Sequence, residues 1–251
     1  MPTLKKLLLL ATLTASLFAM SSEEVAKNSY DIMSGYNSSL STTTMILKNA
    51  QGVENIRQLE FKKIEGIDGD KSLLTFLYPD DLKGTKLLSF EVIGSDDKQW
   101  LYLPSLKRVK RISSRNKSGS FMASEFSYED ISSQNYKNYS YSGEAEEVIK
   151  DGIKYFKVTR IPIDANSGYS KQIIWVEKDS YLARYGDYYD KQDRLLKQIN
   201  FSEYKVIDGI QRIVRVNIEN VQNGKSSSLT WDEDAINSGI TSGEISKRAL
   251  K

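Results

Sequence analysis

The feature that most constrains the fold is a succession of short segments in which apolar and polar residues alternate. This alternation predicts β-strands, because successive side chains of a strand point to opposite faces. Turn-forming dipeptides such as Asp208-Gly209 and Asn223-Gly224 separate neighbouring segments and favour antiparallel hairpins. The segments are 42–48, 56–63, 72–78, 87–93, 99–103, 107–112, 136–142, 155–161, 171–177, 182–189, 195–204, 211–221 and 228–231. A sheet with this many strands is expected to curl, because long twisted sheets close or split rather than stay flat.

Helices are predicted only near the two ends of the chain. Ser21-Ser22-Glu23-Glu24 is a typical helix start, with a hydroxyl that can cap free amides and acids that suit the positive end of the helix. Val25, Ile32 and Met33 then share one face, and we expect this face to pack on the sheet. Residues 241–250 are predicted to form a short helix that covers an end of the sheet.

The amino terminus has the pattern of a secretory signal peptide. Lys5 and Lys6 precede the apolar run 7–11, and Ala19 offers a small residue for cleavage. We therefore expect residues 1–19 to be a cleavable signal peptide and residues 20–251 to be a single domain; an uncleaved anchor is the alternative. Because the chain has no cysteine that could carry a lipid or form a disulfide, the exported protein is expected to be free in the periplasm.

The composition excludes several classes of function. With neither histidine nor cysteine, the chain lacks the usual nucleophile–base pairs and most transition-metal ligands. Removing residues 1–19 takes Lys5 and Lys6 from the 35 basic residues and nothing from the 33 acidic ones, and the neutral remainder argues against nucleic-acid binding. Acid pairs remain for a carboxylate enzyme, but we interpret them as solvated acids in turns. They are Asp80/Asp81, Asp96/Asp97 and Glu129/Asp130. No catalytic residue, metal site or cofactor is predicted.

Several predicted strands carry apolar residues on both faces, notably 73–78, 87–92, 100–103 and 173–176. Both faces of such a sheet need cover, and a helix can cover only one of them. The second face either packs into a filled barrel core or lines a cavity, and periodicity alone leaves both readings open. An eight-residue strand at about 3.3 Å per residue spans about 26 Å, which is comparable to an extended acyl chain.

The stretch 99–131 places cations beside apolar side chains. Its strand 107–112 is basic on both faces, and such positive charge suits an anionic head group or an acidic partner. A charged edge strand that blocks aggregation is the alternative. The segment 118–126 begins with Ser and Gly and ends in Phe121, Met122 and Phe126, so it is either a lid over a hydrophobic opening or a loop pinned to the core. Met122 and Phe126 would share a face if the segment were helical.

The same residues carry a resemblance to a known family. "YPDDLKGTKLLSFE" at 78–91 followed by "QWLYLPSLKRVKRISSRNKSGSFMASEFSYEDI" at 99–131 resembles the outer-membrane lipoprotein-sorting protein family, periplasmic relatives of the lipoprotein carrier LolA. Ala123 and Glu125 stand where the family often has Gly and Asp. The resemblance implies a mainly β fold, an incomplete, half-open antiparallel β-barrel with an N-terminal helix, short lid and capping helices, and a hydrophobic cavity for acyl chains.

The predicted function is that of a periplasmic carrier, which binds acyl chains of a lipoprotein or lipid and delivers them toward the outer membrane. Its expected partners are those acyl chains, an inner-membrane transporter as donor and an outer-membrane acceptor, and we expect a monomer. Two alternatives stay open: a regulatory sensor on the same fold that binds a membrane signalling protein, and a carbohydrate-active enzyme with paired carboxylates. The predicted cavity and lid residues are Leu88, Phe90, Trp100, Tyr102, Phe121, Met122 and Phe126, and the predicted head-group or partner contacts are Arg108, Arg111 and Arg115.

Overall fold

The computed structural model describes residues 19–251, so the predicted signal peptide lies outside the described residues except for Ala19. One α-helix precedes a series of strands, with short 3-10 turns between some of them. The elements are α1 Ser22–Asp31, β1 Ser38–Lys48, β2 Glu54–Ile64, β3 Lys71–Tyr78, β4 Lys86–Phe90, β5 Lys98–Leu103, β6 Arg108–Ile112, β7 Tyr139–Tyr141, β8 Glu146–Lys150, β9 Ile153–Pro162, β10 Tyr169–Glu177, β11 Ala183–Asp190, β12 Leu195–Ile207, β13 Ile210–Asn220 and β14 Lys225–Ile236.

The strands form one 14-stranded antiparallel sheet in the order β6-β5-β4-β3-β2-β1-β14-β13-β12-β11-β10-β9-β7. β7 and β8 pair with different halves of β9, so the two together form one edge of the sheet. β6 forms the other edge, and within the described residues no ladder joins the two edges. The sheet is therefore an incomplete barrel, which confirms the predicted fold class.

Hairpins form where the turn dipeptides predicted them. Asp208 and Gly209 both have positive φ between β12 and β13, and Gly224 does so between β13 and β14. One hairpin was not predicted: β8 and β9 are joined through Asp151-Gly152, and both residues again have positive φ. β8 was missed because four of its five residues are exposed, so its sequence has no alternation of buried and exposed positions.

Helix α1 begins as the sequence predicts. Ser21 and Glu24 form a capping box, in which the Glu24 amide donates to Ser21 Oγ and the Ser21 amide donates to the Glu24 carboxylate. The helix buries Val25 and packs over β7 and β9. Ser22 and Val25 are its only residues that are more than nine-tenths buried.

The predicted helix at 241–250 is wrong, since only Lys247–Leu250 form a 3-10 turn. Ile245 and Leu250 are both fully buried against the outer face of the sheet. At about 100° per residue, an α-helix would place these two side chains about 140° apart and could not bury both on one sheet. An irregular segment buries both, and it covers the outer face as expected.

Residues 113–138, here called the strap, connect edge strand β6 to edge strand β7 through the opening of the barrel. Phe121 is fully buried in the core against Phe76, with ring centroids 5.8 Å apart. Met122 and Ala123 adopt left-handed backbone conformations at φ 49° and 65°, so this part of the strap forms a tight turn and not a helix. The strap is thus a loop pinned to the core, which is the second of the two readings drawn from its sequence.

Candidate functional site

A cavity of about 360 Å³ lies inside the barrel. The sheet forms its walls, helix α1 covers it with Tyr30 and Met33, and the strap closes it with Phe126 and Ile131. Its volume falls in the range of about 300–1,000 Å³ that is typical of small-molecule sites. The barrel interior is therefore not completely filled by its own side chains.

One wall of the cavity is apolar. It is formed by inward-facing residues of β9, β10, β12, β13 and β14, most of them β-branched, and nearly all are buried. These residues are Val158, Ile174, Val176, Ile199, Val216, Ile218, Leu229 and Trp231. Such a surface offers hydrocarbon contacts without hydrogen-bonding groups and suits an alkyl chain.

The opposite wall carries hydroxyl groups. Alternation along β1 turns Ser39, Ser41 and Thr43 inward, and Ser72 and Ser89 line the cavity from β3 and β4. Thr43 Oγ1 is buried and has no hydrogen-bond partner in the described part of the chain. The cavity therefore has a hydrocarbon side and a hydroxyl side, which suits an amphiphile better than a pure hydrocarbon.

Two ion pairs stand at the cavity wall. Lys63 Nζ lies 2.6 Å from Asp70 Oδ2, and Arg212 Nε lies 2.7 Å from Asp234 Oδ2. Burial alone would lower the pKa of Lys63, but Tyr36 and Asp70 beside it raise the pKa above its ordinary value. Both cations thus remain charged and are neutralised by protein carboxylates.

A third cation, Arg160 on β9, has only neutral partners. Its Nε donates to Gln172 Oε1 at 2.7 Å, its Nη2 donates to Tyr188 OH at 3.3 Å, and its guanidinium lies 4.0 Å from the centre of the Tyr139 ring. Burial opposes its charge, but the neighbouring tyrosines Tyr139 and Tyr188 raise the pKa of Arg160 above its ordinary value. The guanidinium is accordingly charged at neutral pH.

The acids 129–130 anchor the strap to the sheet. Asp130 Oδ2 lies 2.8 Å from Lys197 Nζ, and both Asp130 oxygens accept from Tyr169 OH at 2.9 Å. Glu129 accepts from Ser167 Oγ at 2.7 Å and from the amide of residue 168 at 2.8 Å, and burial raises the pKa of Glu129. Glu129 and Asp130 are one of the acid pairs that a carbohydrate-active enzyme could have used. In this structure their hydrogen bonds and ion pair hold the strap in place.

The structure places four predicted cavity residues on the opposite side of the sheet. These residues pack with Leu73, Ile245 and Leu250 on the outer face; they are Leu88, Phe90, Trp100 and Tyr102. Their strand neighbours Leu87 and Leu101 point inward instead. This corrects the expected placement, and the reason is that both faces of β4 and β5 are apolar, so alternation does not say which face is inside.

The three predicted strap residues differ in their positions. Phe126 lines the cavity, and its side chain is buried. Phe121 lies in the adjoining core, in contact with the rings of Phe76 and Tyr128. Met122 is half-buried at the tight turn, where its carbonyl accepts from Arg57 Nη1 at 2.5 Å. Only Phe126 therefore borders the cavity directly.

The predicted basic residues Arg108, Arg111 and Arg115, here called the basic edge, are all exposed. The first two belong to edge strand β6, and the third lies in the 3-10 turn that follows. Within the described residues none of the three forms an ion pair with a carboxylate. They lie at the sheet edge and outside the cavity lining.

Sequence reasoning missed most of the cavity wall. The alternating apolar residues of segments 155–161, 171–177 and 211–221 were visible and were assigned to strands, but nothing ranked them above β4 and β5 as cavity residues. Arg160 could have been found as a lone cation at an inward position of an apolar strand. The serines of β1 gave no signal, since serine is common on exposed strand faces.

Comparison with known proteins gives close relatives. A family model described as "-like: Uncharacterized protein" matches residues 68–251. A crystal structure of an outer membrane lipoprotein-sorting protein domain from Vibrio parahaemolyticus is 40% identical, with a TM-score of 0.86, and the match covers 91% of this chain and 97% of that chain. A search of curated proteins found no match.

Two further structures share the fold. A DUF1329 family protein from Desulfovibrio piger is 31% identical with a TM-score of 0.85, over 92% of this chain and 98% of that one. A LolA superfamily protein from Nitrosomonas europaea is 17% identical with a TM-score of 0.75, over 92% of this chain and all of that one, and shows likeness of fold alone. Among residues 19–251, no helix has the length and apolar character needed to cross a membrane.

Proposed function

The chain belongs to the outer-membrane lipoprotein-sorting protein family, and from this membership we propose that it is a periplasmic carrier for the acyl chains of a lipoprotein or another lipid. The observation that carries the proposal is the unfilled cavity, with its apolar wall along β9–β14 and its cover of α1 and strap. Acyl chains bound there would be shielded from water while the protein moves toward the outer membrane.

The driving force for uptake is the burial of methylene groups. Each buried methylene contributes about 0.8 kcal/mol, so eight of them contribute about 6 kcal/mol before the entropic costs of binding. Release then requires an acceptor with higher affinity or a conformation in which the cavity opens. A carrier of this kind exchanges its ligand with partners and does not transform it.

Of the two covers, α1 is the one we propose to move. The strap is held by fully buried Phe121 and by the buried pair of Asp130 and Lys197. Helix α1 buries only one apolar side chain completely, and Asn135 joins it to the strap through a 3.3 Å hydrogen bond to Tyr30 OH. Displacing α1 therefore costs much less packing than displacing the strap.

The basic edge is proposed to contact partners outside the cavity. Its three arginines are exposed on a strand with a free edge and on the turn that follows it, and they have no described counter-charge. They suit the acidic surface of a donor or acceptor protein, or the anionic head groups of a membrane. In this arrangement the cavity holds the chains, and the edge strand guides their transfer.

Native mass spectrometry of protein purified from its own periplasm tests the proposal. We expect an adduct with the mass of a lipid or an acylated peptide, lost on delipidation and restored by incubation with a fatty acid. Protein that is consistently empty and also takes up no fluorescent fatty acid would contradict it.

A further inference from the structure

Arg160 differs from the other cations of the cavity in having no counter-charge. Three cations line the cavity, and two of them, Lys63 and Arg212, are paired with Asp70 and Asp234. For Arg160, no carboxylate of residues 19–251 lies within the 4.0 Å that defines an ion pair. A charged group left unpaired beside an apolar wall is unfavourable, so its presence points to a partner that the protein does not supply.

The contacts of Arg160 hold the guanidinium in a fixed orientation without neutralising it. Nε donates to Gln172, and Nη2 donates to Tyr188 and, at 3.1 Å, to Gln134 Oε1 of the strap. Arg160 Cζ lies over the ring of Tyr139, 4.0 Å from the ring centre. Nη1, with two N–H donors, has no acceptor in the described part of the chain. An oriented guanidinium with free donors is well suited to binding an oxyanion.

Carboxylates of the strap and of the cavity lining already have other hydrogen-bond partners. Glu129 accepts from Ser167 and from a backbone amide, and Asp130 is paired with Lys197. Asp97 accepts from the amide of Val92, and burial raises its pKa. None of these carboxylates can turn to Arg160 without giving up its own hydrogen bonds.

We infer that the ligand carries an anionic group, a carboxylate or a phosphate, that binds Arg160 inside the cavity while its alkyl chain lies along the apolar wall. This inference rests on the proposed function and narrows its cargo to anionic lipids. An acyl chain that is fully esterified and has no ionised group would leave Arg160 unpaired. The serines of β1 and β3 supply further donors for oxygen atoms next to the anion.

The test compares anionic ligands with neutral ligands that carry the same alkyl chain. The purified, delipidated protein is titrated with oleate and methyl oleate, and with oleoyl lysophosphatidic acid and monooleoylglycerol, by displacement of a fluorescent fatty-acid ester. We expect at least one anion to bind tenfold or more tightly than its neutral counterpart, since charge-assisted bonds to arginine are about twice as strong as neutral ones. A preference for oleate alone identifies a carboxylate ligand, and one for the lysophosphatidic acid alone identifies a phosphate.

Variants assign the preference to Arg160. Arg160→Gln should lower the affinity for the preferred anion about tenfold and change the affinity for its neutral counterpart by less than twofold. Arg160→Lys should retain most of the preference for the anion. Arg248→Gln, which removes an exposed arginine in the C-terminal 3-10 turn, far from the cavity lining and outside the basic edge, serves as the matched control and should change nothing. Equal binding of charged and neutral ligands by the unaltered protein overturns the inference, as does an equal loss of both in Arg160→Gln. If Arg160→Gln does not fold, the comparison of ligands on the unaltered protein decides alone. If none of the four ligands binds, the proposed function itself fails.

Discussion

The proposal that chains lie inside the barrel makes a sharp prediction for Ser41, whose side chain points into the cavity from β1. In Ser41→Phe, the new ring should enter the empty space. A cavity of about 150 Å³ accommodates one benzene, so the ring occupies about two-fifths of the 360 Å³. If it excludes only two methylenes of the ligand, the loss is about 1.6 kcal/mol, or a fall in affinity of about 15-fold.

The neighbouring residue provides the control. Thr42 lies on the outer face of the same strand, and Thr42→Phe adds the same ring without entering the cavity. Binding of a fluorescent fatty acid is measured for both variants, and thermal unfolding checks that each is folded. If Ser41→Phe folds and binds the fatty acid as tightly as the unaltered protein, the acyl chain lies elsewhere. If both variants lose the same affinity, the loss is not caused by the ring filling the cavity.

Three further predictions follow from contacts described above. Asp130→Asn, which leaves the buried Lys197 unpaired, should lower the free energy of unfolding by about 3–5 kcal/mol in urea, whereas Asp193→Asn at an exposed pair should cost less than about 1 kcal/mol. The pKa of Asp190 is lowered to about 2, first by the hydrogen bond from Gln222. Its contribution to stability is therefore present above the ordinary value of about 4 and lost as the pH falls toward 2, so acid unfolding of Asp190→Asn should be less steep over this range. Replacing all three arginines of the basic edge with glutamine should slow transfer of a fluorescent lipid to anionic vesicles and leave its affinity for the protein unchanged.

The strands and the fold class were predictable because their signals are local. Alternation and turn dipeptides such as Asp208-Gly209 depend on the geometry of a few neighbouring residues, and these features carried over into the structure. The helix at 241–250 failed for the opposite reason. Its residues follow the outer face of distant strands, so the burial of Ile245 and Leu250 decided their conformation.

The cavity wall was less predictable, because it depends on which face of each strand turns inward. In Leu87-Leu88 and in Trp100-Leu101, both neighbours are large and apolar, and only the pairing register across the sheet separates the inner from the outer residue. The strap was recognised as apolar, but its anchoring by Asp130 depends on Lys197, which is 67 residues away. Contacts at such separations leave no local signature.

The seam between edge strand β6 and the edge formed by β7 and β8 is bridged by strap side chains and has no backbone ladder in the described part of the chain. A barrel that is closed by a continuous backbone ladder has a fixed circumference, because widening the barrel would break a whole row of hydrogen bonds at once. Here the circumference can grow by small shifts in side-chain packing at one place, while every strand keeps its existing neighbours. If the protein is the carrier we propose, we therefore expect its cavity to widen enough to hold either one acyl chain or several.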